Sequence, residues 1–131
     1  MENNETIILL YILFIWLVVL HTFEEMAQGI FELKIGRINL SKKKYLIGAS
    51  LITTVNLGTL ALIVSNNRIG LYFGVFTASV FGILQAVVHT IGFIKEGGKA
   101  KKIGAGFYSS IPLSIVAAIL LYHILIEIPW I

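Results

Sequence analysis

Two histidines, two adjacent glutamates and two glutamines fall inside or beside stretches that are otherwise apolar. The first group is His21-Thr22-Phe23-Glu24-Glu25, placed after the apolar run of residues 7–20. A charged side chain at the centre of a membrane helix costs about 2.5–3.5 kcal/mol even on the insertion scale, so such groups mark functional sites. Helical neighbours three and four apart share a side, which puts His21, Glu24 and Glu25 together with Gln28 extending the same stripe. The second group is Gln85 and His89. Imidazole and carboxylate projecting inward from different helices of a bundle are the ingredients of a metal centre. The expected ligands are His21, Glu24, Glu25 and His89. Zinc is the first expectation, with iron or manganese as alternatives for a carboxylate-rich set. One glutamate would then be a ligand and the other a general base, which makes Glu24 and Glu25 the expected catalytic pair. Gln28, Thr54, Asn56, Gln85 and Tyr108 are expected around the ligands or against a substrate.

The elements that must position these groups follow from composition. The chain has 131 residues, of which 57% are hydrophobic and 13% charged, and its mean hydropathy is +0.90. That is the composition of an integral membrane protein, and the length suits a single domain over 1–131. The absence of cysteine leaves no disulfide framework and no thiolate ligand. The net charge of +3 does not point to nucleic acid, because the basic residues stand in short loops beside apolar runs. The N-terminal residues carry no Lys or Arg, so the first run is expected to stay as a transmembrane helix rather than be cleaved.

Four spans are expected, at about 6–32, 45–64, 69–94 and 104–126, giving an all-α four-helix transmembrane bundle. Lys34 to Arg37 breaks the first helix, Ser41 is an N-cap for the second, and Ser65 to Arg68 is a polar turn. In the third span Gly70, Gly74, Ala78, Gly82 and Ala86 recur every four residues. This small-xxx-small ridge serves close helix packing, within the chain or in a homodimer. Pro112 lies early in the last span, where it can kink the helix. Tyr122, His123, Glu127 and Trp130 are expected at the membrane interface, apart from the other polar groups.

All Lys and Arg except Arg68 lie in or beside the first and third loops. The positive-inside rule makes both loops cytoplasmic, in a cell membrane, with both termini on the non-cytoplasmic side. Counted from the outer side, His21 to Glu25 and Gln85 to His89 reach matching depth. Ser50, Thr53 and Thr54 reach a similar depth, as do Tyr108, Ser109 and Ser110.

The chain resembles the HXXEE-motif family of small integral membrane proteins. His21-Thr22-Phe23-Glu24-Glu25 is similar to the eponymous motif. Gln85-Ala86-Val87-Val88-His89 is similar to a second family element, in which Asn often stands at the Gln85 position. Tyr108-Ser109-Ser110-Ile111-Pro112 is similar to a third, although Ser-Ser replaces a common Pro-Gly pair. The resemblance spans about 20–112 and implies a shared intramembrane site without implying a reaction.

Three functions are open at this level. One is a metal-dependent hydrolase-type site acting on a membrane lipid or another amphiphile. The second is a small proton-coupled transporter, using adjacent carboxylates that titrate together. The small multidrug resistance exporters are likewise four-helix chains of similar size with a Glu in helix 1, but this sequence lacks the rest of their pattern. The third is a structural or assembly subunit, with Glu24 and Glu25 paired to Lys34, Lys42 or Lys43 at the head groups.

Overall fold

A computed structural model of the chain describes residues 2–35 and 37–128, so Trp130 lies outside the described residues. It is all-helical apart from loops and one short ladder. The helices are α1 (Glu2–Ala27), α2 (Lys42–Val64), α3 (Arg68–Lys95) and α4 (Phe107–Glu127). Among the described residues, four helical stretches are long and apolar enough to cross a membrane. Their outward faces carry Leu9, Trp16, Leu51, Phe73, Phe76, Ile115 and Ile119, all exposed. A continuous apolar exterior of this kind is stable only where the surrounding solvent is lipid.

α1 stops earlier than the sequence expects, at Ala27 rather than near residue 32. Gly29 adopts φ 81°, a left-handed conformation that favours glycine, and a 3₁₀ turn follows at Ile30–Glu32. A two-rung antiparallel ladder then pairs Lys34 with Asn39 and Ile35 with Ile38. The Ser41 hydroxyl accepts from the Lys44 N–H at 3.3 Å and starts α2. Asn67 caps α3 by accepting from the Ile69 N–H at 3.0 Å. α3 is π-helical over Ala78–Leu84, immediately before Gln85. α4 begins at Phe107, after Gly106 at φ 85°, and runs through Pro112 to Glu127 without interruption.

α1 packs most extensively on α4, and α2 lies against α1 and α3. The core is formed by Ile7, Tyr11, Phe14 and Leu17 of α1 with Leu113, Ala117, Leu120 and Ile124 of α4. Val18 of α1, Ile63 of α2, Ala78 of α3 and Ile128 belong to it as well. A polar cluster sits inside this apolar layer. The Tyr11 hydroxyl donates to Asn56 Oδ1 at 3.1 Å and lies 2.6 Å from Thr77 Oγ1. Asn56 Nδ2 donates to the Ile52 carbonyl at 2.9 Å, so the cluster satisfies itself.

The small residues of α3 work inside the chain. A Cβ on Gly70 would stand 2.7 Å from the Ile63 backbone nitrogen, and one on Gly74 would stand 2.8 Å from Ile124 Cδ1. A Cβ on Gly82 would overlap the Ala117 methyl and crowd the Phe14 ring. Ala78 is fully buried, while Ala86 is half-buried on an outer groove shared with α4. Gly92, outside the expected ridge, lets α3 meet the backbone of Ile103 and Gly104.

Gly82→Leu is expected to lower stability by about 1–3 kcal/mol, the usual cost of overpacking a core. Gly58→Leu, where an added Cβ meets nothing within 4 Å, is the matched control. Thermal unfolding of detergent-purified protein separates the two.

Candidate metal centre

One turn of α1 carries two separate constellations. Successive helical residues are rotated by about 100°, so Glu24 and Glu25 diverge even though both lie near His21. The pair His21 and Glu25 faces α3. The pair Glu24 and Gln28 faces the start of α4. The single stripe expected from spacing is therefore two stripes with different partners.

The first constellation is compact and buried. His21, Glu25 and His89 are 2%, 7% and 5% exposed. His21 Nε2 and His89 Nε2 stand 3.2 Å apart. Glu25 Oε1 lies 3.3 Å from His89 Nε2 and 3.7 Å from His21 Nε2. The three residues could hold a metal ion.

The surroundings determine which ring nitrogens face the centre. His89 Nδ1 lies 2.9 Å from the Ile103 carbonyl, which can only accept, so Nδ1 carries the proton. Nε2 of His89 is the ring nitrogen that faces Glu25 and His21. Ser109 Oγ donates to the Gly106 carbonyl at 3.2 Å and so accepts from His21 Nδ1–H at 2.9 Å. His21 consequently turns its own Nε2 lone pair inward. Gln85 Nε2 donates to that lone pair at 2.8 Å. On the far side of Glu25, the Tyr45 hydroxyl donates to Oε2 at 2.6 Å and lies 3.2 Å from the Thr22 carbonyl. The Tyr45 ring is steadied edge-on by Phe31 at 5.4 Å between centroids. Each of the three groups thus has its outer polar atom fixed, as ligating histidines and carboxylates commonly do.

Glycine is required where α4 begins. Gly106 is in the left-handed region at φ 85°, and a Cβ there would lie 2.5 Å from His21 Cε1 and 2.8 Å from Glu25 Cγ. The backbone of this turn lies directly against the histidine.

The second constellation caps a helix. Glu24 Oε2 accepts from the Ser109 N–H at 2.6 Å, and Oε1 accepts from the Tyr108 N–H at 3.2 Å. Gln28 Nε2 donates to Glu24 Oε1 at 2.8 Å, while Gln28 Oε1 accepts from the Gly106 N–H at 2.7 Å. Three backbone donors at the start of α4 are satisfied by side chains from α1, where no intrahelical partner exists. The carboxylate also meets the positive end of the helix dipole. Glu24 is therefore not grouped with the ligands, contrary to expectation, because its oxygens are already taken by N–H donors. The same geometry gives no support to Glu24 as a general base.

Other expected residues are placed as follows. Gln85 joins the His21 side of the centre. Gln28 belongs to the helix cap. Thr54 is exposed and donates to the Ser50 carbonyl at 2.8 Å. Asn56 is in the core cluster with Tyr11. The Tyr108 side chain is 57% exposed, and only its backbone N–H contributes. Tyr45, Gly106 and the Ile103 carbonyl were not singled out by sequence. Tyr45 reads as an ordinary interfacial aromatic at the start of a span, and a carbonyl has no sequence signal. The one available hint was Gly104-Ala105-Gly106 directly before the last helix.

Compared with protein-family models, curated proteins and solved structures, the chain finds no match.

Removing the cap should weaken the fold. Glu24→Ala is expected to cost about 1–2 kcal/mol, the range for a lost helix cap with its dipole interaction. Chemical denaturation monitored by circular dichroism gives the difference from the parent protein.

Proposed function

We propose that the chain is a membrane-embedded protein that binds a divalent metal ion through His21 Nε2, His89 Nε2 and Glu25 Oε1. The observation that carries this reading is the triangle of these atoms, with edges of 3.2, 3.3 and 3.7 Å. A point equidistant from its corners lies about 2.0 Å from each, which matches zinc–nitrogen and zinc–oxygen bond lengths of about 2.0–2.2 Å. Nε2 of each ring turns inward, while Nδ1 of His89 and of His21 is engaged by the Ile103 carbonyl and the Ser109 hydroxyl. A divalent cation also offsets the charge of a carboxylate held inside a low-dielectric bundle. Gln85, hydrogen-bonded to the His21 lone pair, is the group a cation displaces.

Two histidines and one carboxylate form a ligand set used by zinc with an open position, and also by non-haem iron. We assign zinc first, with iron or manganese as the alternatives. Such an ion supplies Lewis-acid chemistry at its open position. The chain's own part is to hold two imidazoles and one carboxylate in register. It also buries all three side chains where they meet. Molecules that reach this depth are lipids and other amphiphiles, and hydrolysis is the reaction class we propose. The transporter reading requires two carboxylates titrating as a pair, whereas Glu24 and Glu25 turn to different partners. The HXXEE resemblance belongs to this proposal: His21 and Glu25 are the first and last residues of the motif, and both face His89.

We place the two basic loops on the cytoplasmic side, following the distribution of Lys and Arg. The chain has no cysteine, so single reporters can be introduced cleanly. Asn67→Cys is expected to react with a membrane-impermeant maleimide in intact cells, and Lys99→Cys only after permeabilisation. The opposite pattern would invert the assignment.

Metal content decides the central claim. Elemental analysis of detergent-purified protein, prepared without chelator, is expected to find near-stoichiometric metal. His21→Ala, Glu25→Ala and His89→Ala should each remove it, whereas Glu24→Gln should retain it. A folded parent free of metal would rule the reading out.

A further inference from the structure

The metal centre opens sideways onto a cavity between α1 and α2. This space of about 240 Å³ is lined by His21 and Glu25, by Val18 and Ile52, and by Lys44 and Gly48 among others. The helices are antiparallel, so the lining is ordered by depth. Lys44 is at the loop end, two residues into α2. His21 and Glu25 come next. Val18 and Ile52 lie deepest, toward the middle of the bundle. From Lys44 to Ile52 the helical rise spans about 12 Å.

This order is cation, metal ligands, hydrocarbon. Lys44 Nζ is held at the mouth by the Asn39 carbonyl at 3.3 Å, and Lys42 and Lys43 are exposed beside it. Among the lining residues the only acid is Glu25, which a bound divalent cation more than balances. The volume falls below the roughly 300 Å³ at which drug-sized ligand pockets begin, so a slim occupant fits and a two-chain lipid does not. Gly48 and Ala49 keep the α2 wall low. A Cβ on Gly48 would meet nothing within 4 Å, so a side chain there grows into open space.

We propose that this cavity binds a single-chain amphiphile with an anionic head. Its head group lies near Lys44, its first polar linkage passes His21 and Glu25, and its chain runs along Val18 and Ile52. The inference rests on the metal reading for the group that meets the linkage, and on the cavity alone for the chain and head.

The test uses the full chain in nanodiscs of zwitterionic phosphatidylcholine, loaded with zinc, and radiolabelled dodecanoate as the probe. Saturable binding near one per chain is expected, and dodecyltrimethylammonium should not compete. Gly48→Leu should weaken dodecanoate binding at least about tenfold by filling the channel. Zinc content measured on the same sample should be unchanged, which also reports that the helices are assembled. Lys44→Gln, an exposed change that leaves the fold alone, should weaken it about two- to fivefold. Zinc-loaded protein that does not bind dodecanoate, or binds it equally well with Leu at position 48, overturns the inference. Protein that takes up no zinc but binds dodecanoate in a Gly48-sensitive way removes the metal reading and leaves the cavity assignment standing.

Discussion

Backbone N–H and C=O groups inside a bilayer must find partners within the protein, because no water is there to supply them. The segment from Ile103 to Ser109 is where this constraint acts most strongly. It enters the bundle before α4 starts, and it exposes both carbonyls and amides to the neighbouring helices. Glu24 and Gln28 take the Gly106, Tyr108 and Ser109 amides. The Ile103 carbonyl accepts a hydrogen bond from His89 Nδ1, and the Ser109 hydroxyl pairs with His21 Nδ1. One irregular turn thereby joins α1, α3 and α4 and orients both histidine rings.

That arrangement ties the candidate site to stability. The residues that cap α4 are neighbours in sequence of those that face α3, so a shift in the turn would move both sets together. Gly106 makes the approach possible, since any side chain there would strike His21 and Glu25. Farther along the bundle, Gly82 and Ala117 bring α3 against α4, and Phe14 of α1 closes on the same point. The Tyr11, Asn56 and Thr77 cluster lies in that apolar layer and is internally satisfied. It reads as a device for registering helices, with no free donor or acceptor directed at a ligand.

α2 has a different role. It contributes one polar contact to the centre, from Tyr45 to Glu25. Its remaining contribution is the low wall of Gly48 and Ala49 beside the cavity. The centre is thus sealed on its α3 and α4 sides and approachable along α2.

Sequence alone determined depth. Runs of about twenty apolar residues are demanded by the thickness of the hydrocarbon core, so the four helices were legible from hydropathy. Counting along those runs put His21 and His89 at one height, and they stand 3.2 Å apart. Depth does not specify rotation about a helix axis. Thr54, Asn56 and Tyr108 share roughly the right height or polarity, yet they face lipid, the core cluster and the exterior respectively. Glu24 and Glu25 differ by one residue and about 100°, and only the positions of α3 and α4 assign one to the histidines and the other to a helix terminus. The partners of those side chains include a backbone carbonyl and three backbone amides, which every sequence contains and none advertises. Tertiary packing decided which of them were within reach.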